Sequence, residues 1–296
     1  MAVRVGLVGY GEVGRILAED LRLRGVAVVA YDLKLADDRR APLVDHAGAH
    51  GVRLVADHVA VAQASDLVIS AVTADQAVAV ADAVAGGLAA GTWVLDVNSA
   101  SPGAKQRAAA VVDAAGGRYV EGAVMTTVPP YRSAVPILLG GPHARPLEPV
   151  LHDLGLTGAV FHDERLGVAS ATKLCRSVVI KGMEALFVES LVAARHHGVE
   201  DAVLTSLAET FPGLDWDARA SHFFSRAVEH ARRRAEEMGE AAETVAAAGL
   251  EPLLARATAR RMADLADLAD AGVIGPTPDW RATADALLTH RPHEEH

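Results

Sequence analysis

Cysteine is all but missing from this sequence. The lone Cys175 among 296 residues excludes an internal disulfide framework and any cysteine-clustered zinc or iron–sulfur site. Its place in an apolar stretch reads as a small buried hydrophobe. Basic charge is in deficit, with 28 Lys and Arg against 38 Asp and Glu and a net charge of −10. Such a chain has no basic face to neutralise a nucleic-acid backbone. Long apolar runs are lacking too. The longest uncharged apolar stretch, residues 83–95, is interrupted by Gly86, Gly87 and Gly91 and is too short to span a bilayer. The opening Met1-Ala-Val-Arg-Val-Gly has neither the basic segment nor the apolar run of a signal peptide. These absences exclude a disulfide scaffold, a membrane-spanning chain and a general nucleic-acid binder, and they point to a soluble protein of the reducing cytoplasm. Aromatic residues make up only 4%, and Trp216, His222, Phe223 and Phe224 form their one cluster, which reads as helix-packing core.

Hydrophobic residues nevertheless make up 51% of the chain, enough for real cores, and its length exceeds that of a usual single domain. Two domains are expected, 1–163 and 164–296. In the first, short β-branched runs alternate with helix-length segments. Strands are expected at Val3–Val8, Val26–Tyr31, Arg53–Val55, Leu67–Val72, Thr92–Leu95, Arg118–Glu121 and Pro136–Leu139. Helices are expected at Val13–Arg24, Asp75–Ala85 and Pro102–Ala114. Near-continuous apolar strands joined by helices imply a doubly wound, mostly parallel sheet. From Leu166 to about His197 apolar residues recur at three- and four-residue spacing, and helices then follow, separated at Gly198, Phe211-Pro212-Gly213, Gly249–Pro252 and Gly272–Pro276. The second domain reads as all-α. The tail His290–His296 is polar and expected to fray, with solvated histidines.

Gly9-Tyr10-Gly11-Glu12-Val13-Gly14 is a G-x-G-x-x-G between a strand and a helix. In that setting the first glycine permits a tight turn, the second lets a pyrophosphate approach the backbone, and the third lets helix and strand touch. The helix N-terminus adds free N–H groups and partial positive charge, so the sheet is of the Rossmann, dinucleotide-binding kind. Asp32 ends the second strand 18 residues after Gly14, where a carboxylate accepts ribose hydroxyls and repels a 2′-phosphate. That favours NAD. Lys34, Arg39 and Arg40 just beyond leave NADP open, or form a solvated turn. Two further loops fall at the carboxyl ends of strands: Ala71-Val72-Thr73 on the adenosine side, and Asp96–Pro102 near the nicotinamide. In the latter Ser101 is the expected helix cap, leaving Asn98 and Ser99 for ligand.

Lys173, Ser177 and Lys181 are spaced by four on the helix that opens the second domain, flanked by Leu174, Val178, Ile180 and Leu186. A poorly hydrated lysine there has its charged form disfavoured and becomes a proton-transfer candidate, although a lone helical lysine more often snorkels to solvent. His230 and Arg234 are candidates for binding an anion, with Arg232 read as solvated helix surface. Tyr131 follows two prolines and either projects into the crevice or shapes a loop. His196-His197 has no partner at ligand spacing, and no metal is assigned.

Gly9–Gly14, Asp96–Pro102, Glu121-Gly-Ala-Val124 and Gly167–Ser177 together resemble the β-hydroxyacid dehydrogenase superfamily, which includes 3-hydroxyisobutyrate and 6-phosphogluconate dehydrogenases. The similarity is greatest to the branch with a helical C-terminal domain of unassigned function. Its most specific motif, G-x-G-x-x-x-K-x-x-x-N, reads here as Gly167, Ala169, Lys173 and Ser177. The resemblance implies that Lys173 is the catalytic acid/base. It implies that Ser99, Ala123, Thr126, Thr127 and Ser177 position a small carboxylate substrate, with His230 or Arg234 completing the anion site. It also implies a homodimer. Ser177 replaces the family's asparagine and Met125-Thr126-Thr127 replaces its Ser-Gly-Gly, so the substrate is not named by the motif. The expected activity is hydride transfer between NAD(P) and a small hydroxy acid or its oxo partner. An imine reductase on the same scaffold, for which the retained Lys173 is unfavourable, and a non-catalytic NAD(P) sensor are the alternatives.

Overall fold

The structure, a computed structural model, describes residues 3–290. Met1, Ala2 and the tail residues 291–296, to which the frayed-tail expectation applies, lie outside the described residues. The chain divides into two compact units, Met1–Lys173 and Leu174–His296. The division falls inside a helix, ten residues beyond the break in sequence texture at 163/164.

The first unit is built on eight strands: β1 (Val5–Val8), β2 (Val28–Tyr31), β3 (Arg53–Leu54), β4 (Leu67–Ser70), β5 (Trp93–Asp96), β6 (Arg118–Val124), β7 (Ile137–Gly140) and β8 (Ala159–Asp163). They lie in the order 3-2-1-4-5-6-7-8, and every pairing is parallel except β6 with β7. The connecting helices are α1 (Glu12–Leu23), α2 (Ala41–His50), α3 (His58–Gln63), α4 (Ala77–Ala85), α5 (Pro102–Ala114) and α6 (Ala144–Asp153). The reversal of order on either side of β1 creates a switch point at the carboxyl ends of β1 and β4, where an open α/β sheet binds its ligand.

The strands are buried on both faces because their side chains alternate between two cores. Leu7, Ile69, Leu95 and Val120 join the cluster that includes Leu17 and Leu21 of α1. Their neighbours Val8, Val68, Val94 and Tyr119 join the cluster under α3, α4 and α5, with Val61, Val84 and Val112. Local chemistry sets the helix ends. Asp57 accepts from the Ala60 amide at 2.7 Å and starts α3, while Gly51, at φ 64°, stops α2 in the left-handed conformation that favours glycine. Besides α2 and α3, two elements of this unit, α6 and β8, were not expected from sequence pattern. Helix α6 carries Pro149 in its interior, and β8 alternates buried Ala159 with exposed Val160 and His162.

The helix α7 (Val168–His197) runs from the end of the first unit into the second. The second unit continues with α8 (Glu200–Thr210), α9 (Trp216–Glu229), α10 (Ala231–Ala247), α11 (Leu253–Asp270) and α12 (Trp280–Thr289), and no strand occurs among its described residues. Its core gathers Val188 and Leu191 of α7, Phe224 of α9, Met262 of α11 and Trp280 of α12. Phe187 stacks on Trp216 at 5.5 Å and meets Phe223 edge-on at 4.9 Å, so the aromatic cluster packs helices, with His222 left exposed. Cys175 is exposed, against expectation. One residue turns a helix by about 100°, and it is Leu174 that takes the buried position. Among the described residues no helix is long and apolar enough to cross a membrane.

Candidate functional site

The glycine turn follows β1 directly. Gly9 has φ 90°, and a Cβ on it would lie 2.2 Å from the carbonyl oxygen of Ala71. A Cβ on Gly14 would lie 2.1 Å from the Gly9 oxygen, which is how closely α1 passes the strand end. Gly11 is different: nothing lies within 4 Å of its Cβ position. No side chain caps the first turn of α1, so its N–H groups face an open cradle that a side chain at position 11 would fill. These residues fit the pyrophosphate of a dinucleotide.

Tyr10 contributes only its backbone to that cradle. Its side chain is fully buried, with Oη 2.9 Å from Nδ1 of His46, and burial pushes the phenol up to about 12. The Tyr10 amide donates to Oδ2 of Asp32 at 2.8 Å, and the Lys34 amide donates to Oδ1 at 2.9 Å. Asp32 is thereby fixed at the end of β2, with lone pairs remaining for ribose hydroxyls. Arg39, the alternative phosphate ligand, is paired with Asp37. Glu12 is exposed at the start of α1 and Val13 is half-buried beside it.

The loops after β4 and β5 are tied together. Asn98 accepts from the Val72 amide at 2.6 Å and donates from Nδ2 to Oγ of Ser70 at 2.9 Å. Its carboxamide is therefore engaged in holding Ala71-Val72 against β5, which is a structural use the sequence did not disclose. Thr73 donates to Asp75. Ser99 is half-buried and receives Nζ of Lys173 at 2.6 Å. Ala123 is buried within β6 opposite Leu138, whereas Thr126 is exposed and Thr127 half-buried in the following loop. Tyr131 is 52% exposed.

Two buried carboxylates that sequence reasoning left without a role organise this site. Glu121 of β6 accepts from the amides of Gly167 at 3.0 Å and Ala169 at 2.8 Å and from the Ser170 hydroxyl at 3.2 Å. It caps the first turn of α7, one turn before Lys173, and its negative charge meets the positive end of the helix. Gly140 makes the room, since a Cβ there would lie 2.2 Å from Oε1 of Glu121. Asp96 is the register partner of Glu121 on β5. It meets Nζ of Lys105 at 2.9 Å and accepts from the Tyr119 hydroxyl at 2.7 Å, and all three are buried. Burial beside Asp96 pushes the Tyr119 phenol well above its ordinary value. Lys105 was legible in principle: it shares the buried helical phase of Ala108, Ala109 and Val112.

Three sequence-assigned substrate residues belong to the second unit. Ser177 is buried and accepts from Nζ of Lys181, which also pairs with Glu237. Arg234, the expected anion ligand, is buried and pairs with Glu184 instead. Burial lowers Lys181 and Arg234 and raises Glu184, the direction desolvation imposes on each charged form. His230 lies between α9 and α10, with Nε2 3.7 Å from Glu229, and burial followed by Arg233 lowers its pKa.

A sheet with this switch point, glycine cradle and ribose carboxylate defines a dinucleotide-binding α/β domain, here followed by a helical one. Residues 4–161, more than half of the chain, match the NAD binding domain of 6-phosphogluconate dehydrogenase, and residues 194–265 match a domain of unknown function (DUF1932). The chain belongs to this NAD-binding family, within the β-hydroxyacid dehydrogenase relatives that its motifs resemble, and its cofactor is of the NAD(P) class. It is similar to a conserved hypothetical protein of Sinorhizobium meliloti 1021, with 37% identity, 98% of this chain and 97% of that one covered, and a TM-score of 0.79. It is similar to the conserved protein MTH1747, whose structure is described as resembling 3-hydroxyacid dehydrogenases. That match has 31% identity, covers 91% of this chain and 99% of that one, and has a TM-score of 0.70. In sequence it is similar to 2-(hydroxymethyl)glutarate dehydrogenase of Eubacterium barkeri, 25% identical over 226 residues, which is 74% of this chain and 72% of that protein.

Proposed function

We propose that the chain is an NAD(P)-dependent oxidoreductase acting on the CH–OH group of a small hydroxy acid, or on its oxo or semialdehyde partner, with Lys173 as general acid and base. One observation carries this reading: Nζ of Lys173 lies 2.6 Å from Oγ of Ser99, on the loop that leaves β5 at the ligand-binding edge of the sheet. The similarity to a dehydrogenase of a hydroxy acid and to a structure likened to 3-hydroxyacid dehydrogenases supports it.

When bound, the nicotinamide supplies or takes up the hydride. In oxidation the neutral amine of Lys173 removes the hydroxyl proton of the substrate. In reduction its ammonium form returns that proton, and its charge steadies the developing alkoxide. Ser99 orients the amine by accepting one of its hydrogens, which leaves the serine hydroxyl free to donate to a substrate oxygen. Thr126 and Thr127 provide hydroxyls for the substrate carboxylate, with Ala123 contributing backbone. Asp32, held by two backbone amides, favours NAD over NADP because a 2′-phosphate would meet its charge.

A cytoplasmic homodimer is part of the reading. Val179, Met183 and Leu186 of α7 are 59%, 36% and 63% exposed and share one helical stripe, as expected of a face covered by a second copy. The activity is tested by offering 2- and 3-hydroxy acids, sugar acids and cyclic imines and following the absorbance of reduced cofactor. Turnover of a hydroxy acid is expected; turnover of imines alone contradicts the reading.

A further inference from the structure

We propose that Glu19, His46 and His50 form a binding site for one divalent transition-metal ion of the zinc, nickel or copper type, on the α1–α2 side of the first unit. One ligand atom from each of the three lies within 4.8 Å of the others. The sequence conceals this grouping, because Glu19 and His46 are 27 positions apart.

His46 and His50 are four apart on α2, so both imidazoles stand on one helical face, with ring centroids 4.5 Å apart. Glu19 faces them from α1, its Oε1 2.8 Å from Nε2 of His46. Tetrahedral zinc with Zn–N bonds near 2.0–2.1 Å needs ligand atoms about 3.3 Å apart. To admit the ion, the 2.8 Å contact between His46 and Glu19 has to open by about 0.5 Å and the His50 nitrogen, within 4.8 Å of both, has to approach.

The surroundings are arranged as they are around metal ligands. Oη of Tyr10 lies 2.9 Å from Nδ1 of His46. In the metal-free protein Nε2–H of His46 donates to Glu19 and Nδ1 accepts from Tyr10; an ion would displace the Nε2 proton, and a proton on Nδ1 would then be donated to Tyr10, the hydrogen bond that orients a ligating histidine. Arg132 pairs with Oε2 of Glu19 at 2.6 Å and leaves Oε1 to the ion. Two imidazoles and one carboxylate suit zinc, nickel or copper rather than calcium or magnesium. His50 is the exposed member of the three, so water can reach the ion to complete its coordination. An ion there would pin α2 to α1, with Tyr10 of the glycine turn in direct contact with one of its ligands.

The test uses the full chain, stripped with chelator and titrated with Zn²⁺ alone by calorimetry, beside His50→Ala and Tyr10→Phe. Any zinc taken up by other histidines is common to both proteins, so the difference between them is the readout. The wild type is expected to bind one equivalent more than His50→Ala, and zinc is expected to raise the Tm of the wild type but not of that variant. Tyr10→Phe is expected to retain the equivalent with affinity weakened about 10- to 100-fold. Equal stoichiometry and affinity in the wild type and a folded His50→Ala overturn the proposal.

Discussion

Replacing Glu121 by Ala tests how Lys173 is held. The substitution removes the acceptor of the buried amides of Gly167 and Ala169, while the Ser170 hydroxyl keeps its second bond to the Gly167 carbonyl. Each stranded buried amide costs about 1–3 kcal/mol. Removing a buried carboxylate returns part of its desolvation penalty, so the expected net loss is about 2–4 kcal/mol. Glu121→Gln keeps one carbonyl oxygen and is expected to lose about half as much, since one amide still finds an acceptor. Urea unfolding measures the loss, and hydrogen exchange locates it, because the amides of the first turn of α7 are expected to lose protection in the Ala variant. Ala169 precedes Lys173 by one helical turn, so kcat is expected to fall with little change in dinucleotide affinity. Unchanged midpoint and unchanged protection of those amides in Glu121→Ala would refute the capping account.

Further expectations follow from the same geometry. Lys105→Met leaves Asp96 charged and buried without its cation, which is expected to cost about 3–5 kcal/mol in urea unfolding; a loss below 1 kcal/mol contradicts the pairing. Gly11→Ala is expected to leave the Tm unchanged, since its Cβ meets nothing, while filling the cradle and weakening dinucleotide binding in a fluorescence titration. Gly14→Ala is expected to lower both, because its Cβ collides with the Gly9 carbonyl. His58 packs edge-on against Tyr31 at 4.7 Å, and burial holds its pKa below the ordinary 6.5. A depressed histidine favours folding above the unfolded pKa and loses that contribution as pH falls through the folded one. The stability difference between wild type and His58→Gln is therefore expected to shrink from pH 8 to pH 5.5, and a difference that grows contradicts the assignment.

What the sequence disclosed was what local spacing can encode. The G-x-G-x-x-G lies within six residues, and the run from Val168 to His197 has no proline and a single glycine, Gly182, so the glycine cradle and the lysine helix were both legible. Contacts over long separations were not. Glu121 reaches amides 46 and 48 positions away, and Asn98 reaches Val72 over 26. A carboxylate within an apolar strand run was nevertheless a visible anomaly, since Glu121 sits in the same pleat phase as Tyr119. Arg234 read as an anion ligand or as part of a solvated helix face with local ion pairs, whereas its partner Glu184 lies 50 positions away on α7. Helix α6 was hidden by its prolines, and the exposure of Cys175 by a helical phase that the dense apolar residues of α7 blur.

The account rests on the proton chemistry of one amine. Lys173→Ala separates that role from binding when steady-state turnover of the best hydroxy acid is measured beside dinucleotide affinity by fluorescence. The expected result is a fall in kcat of about 10²- to 10⁴-fold with affinity for the dinucleotide retained. A variant that turns over at the wild-type rate would contradict the assignment of Lys173 as the acid and base.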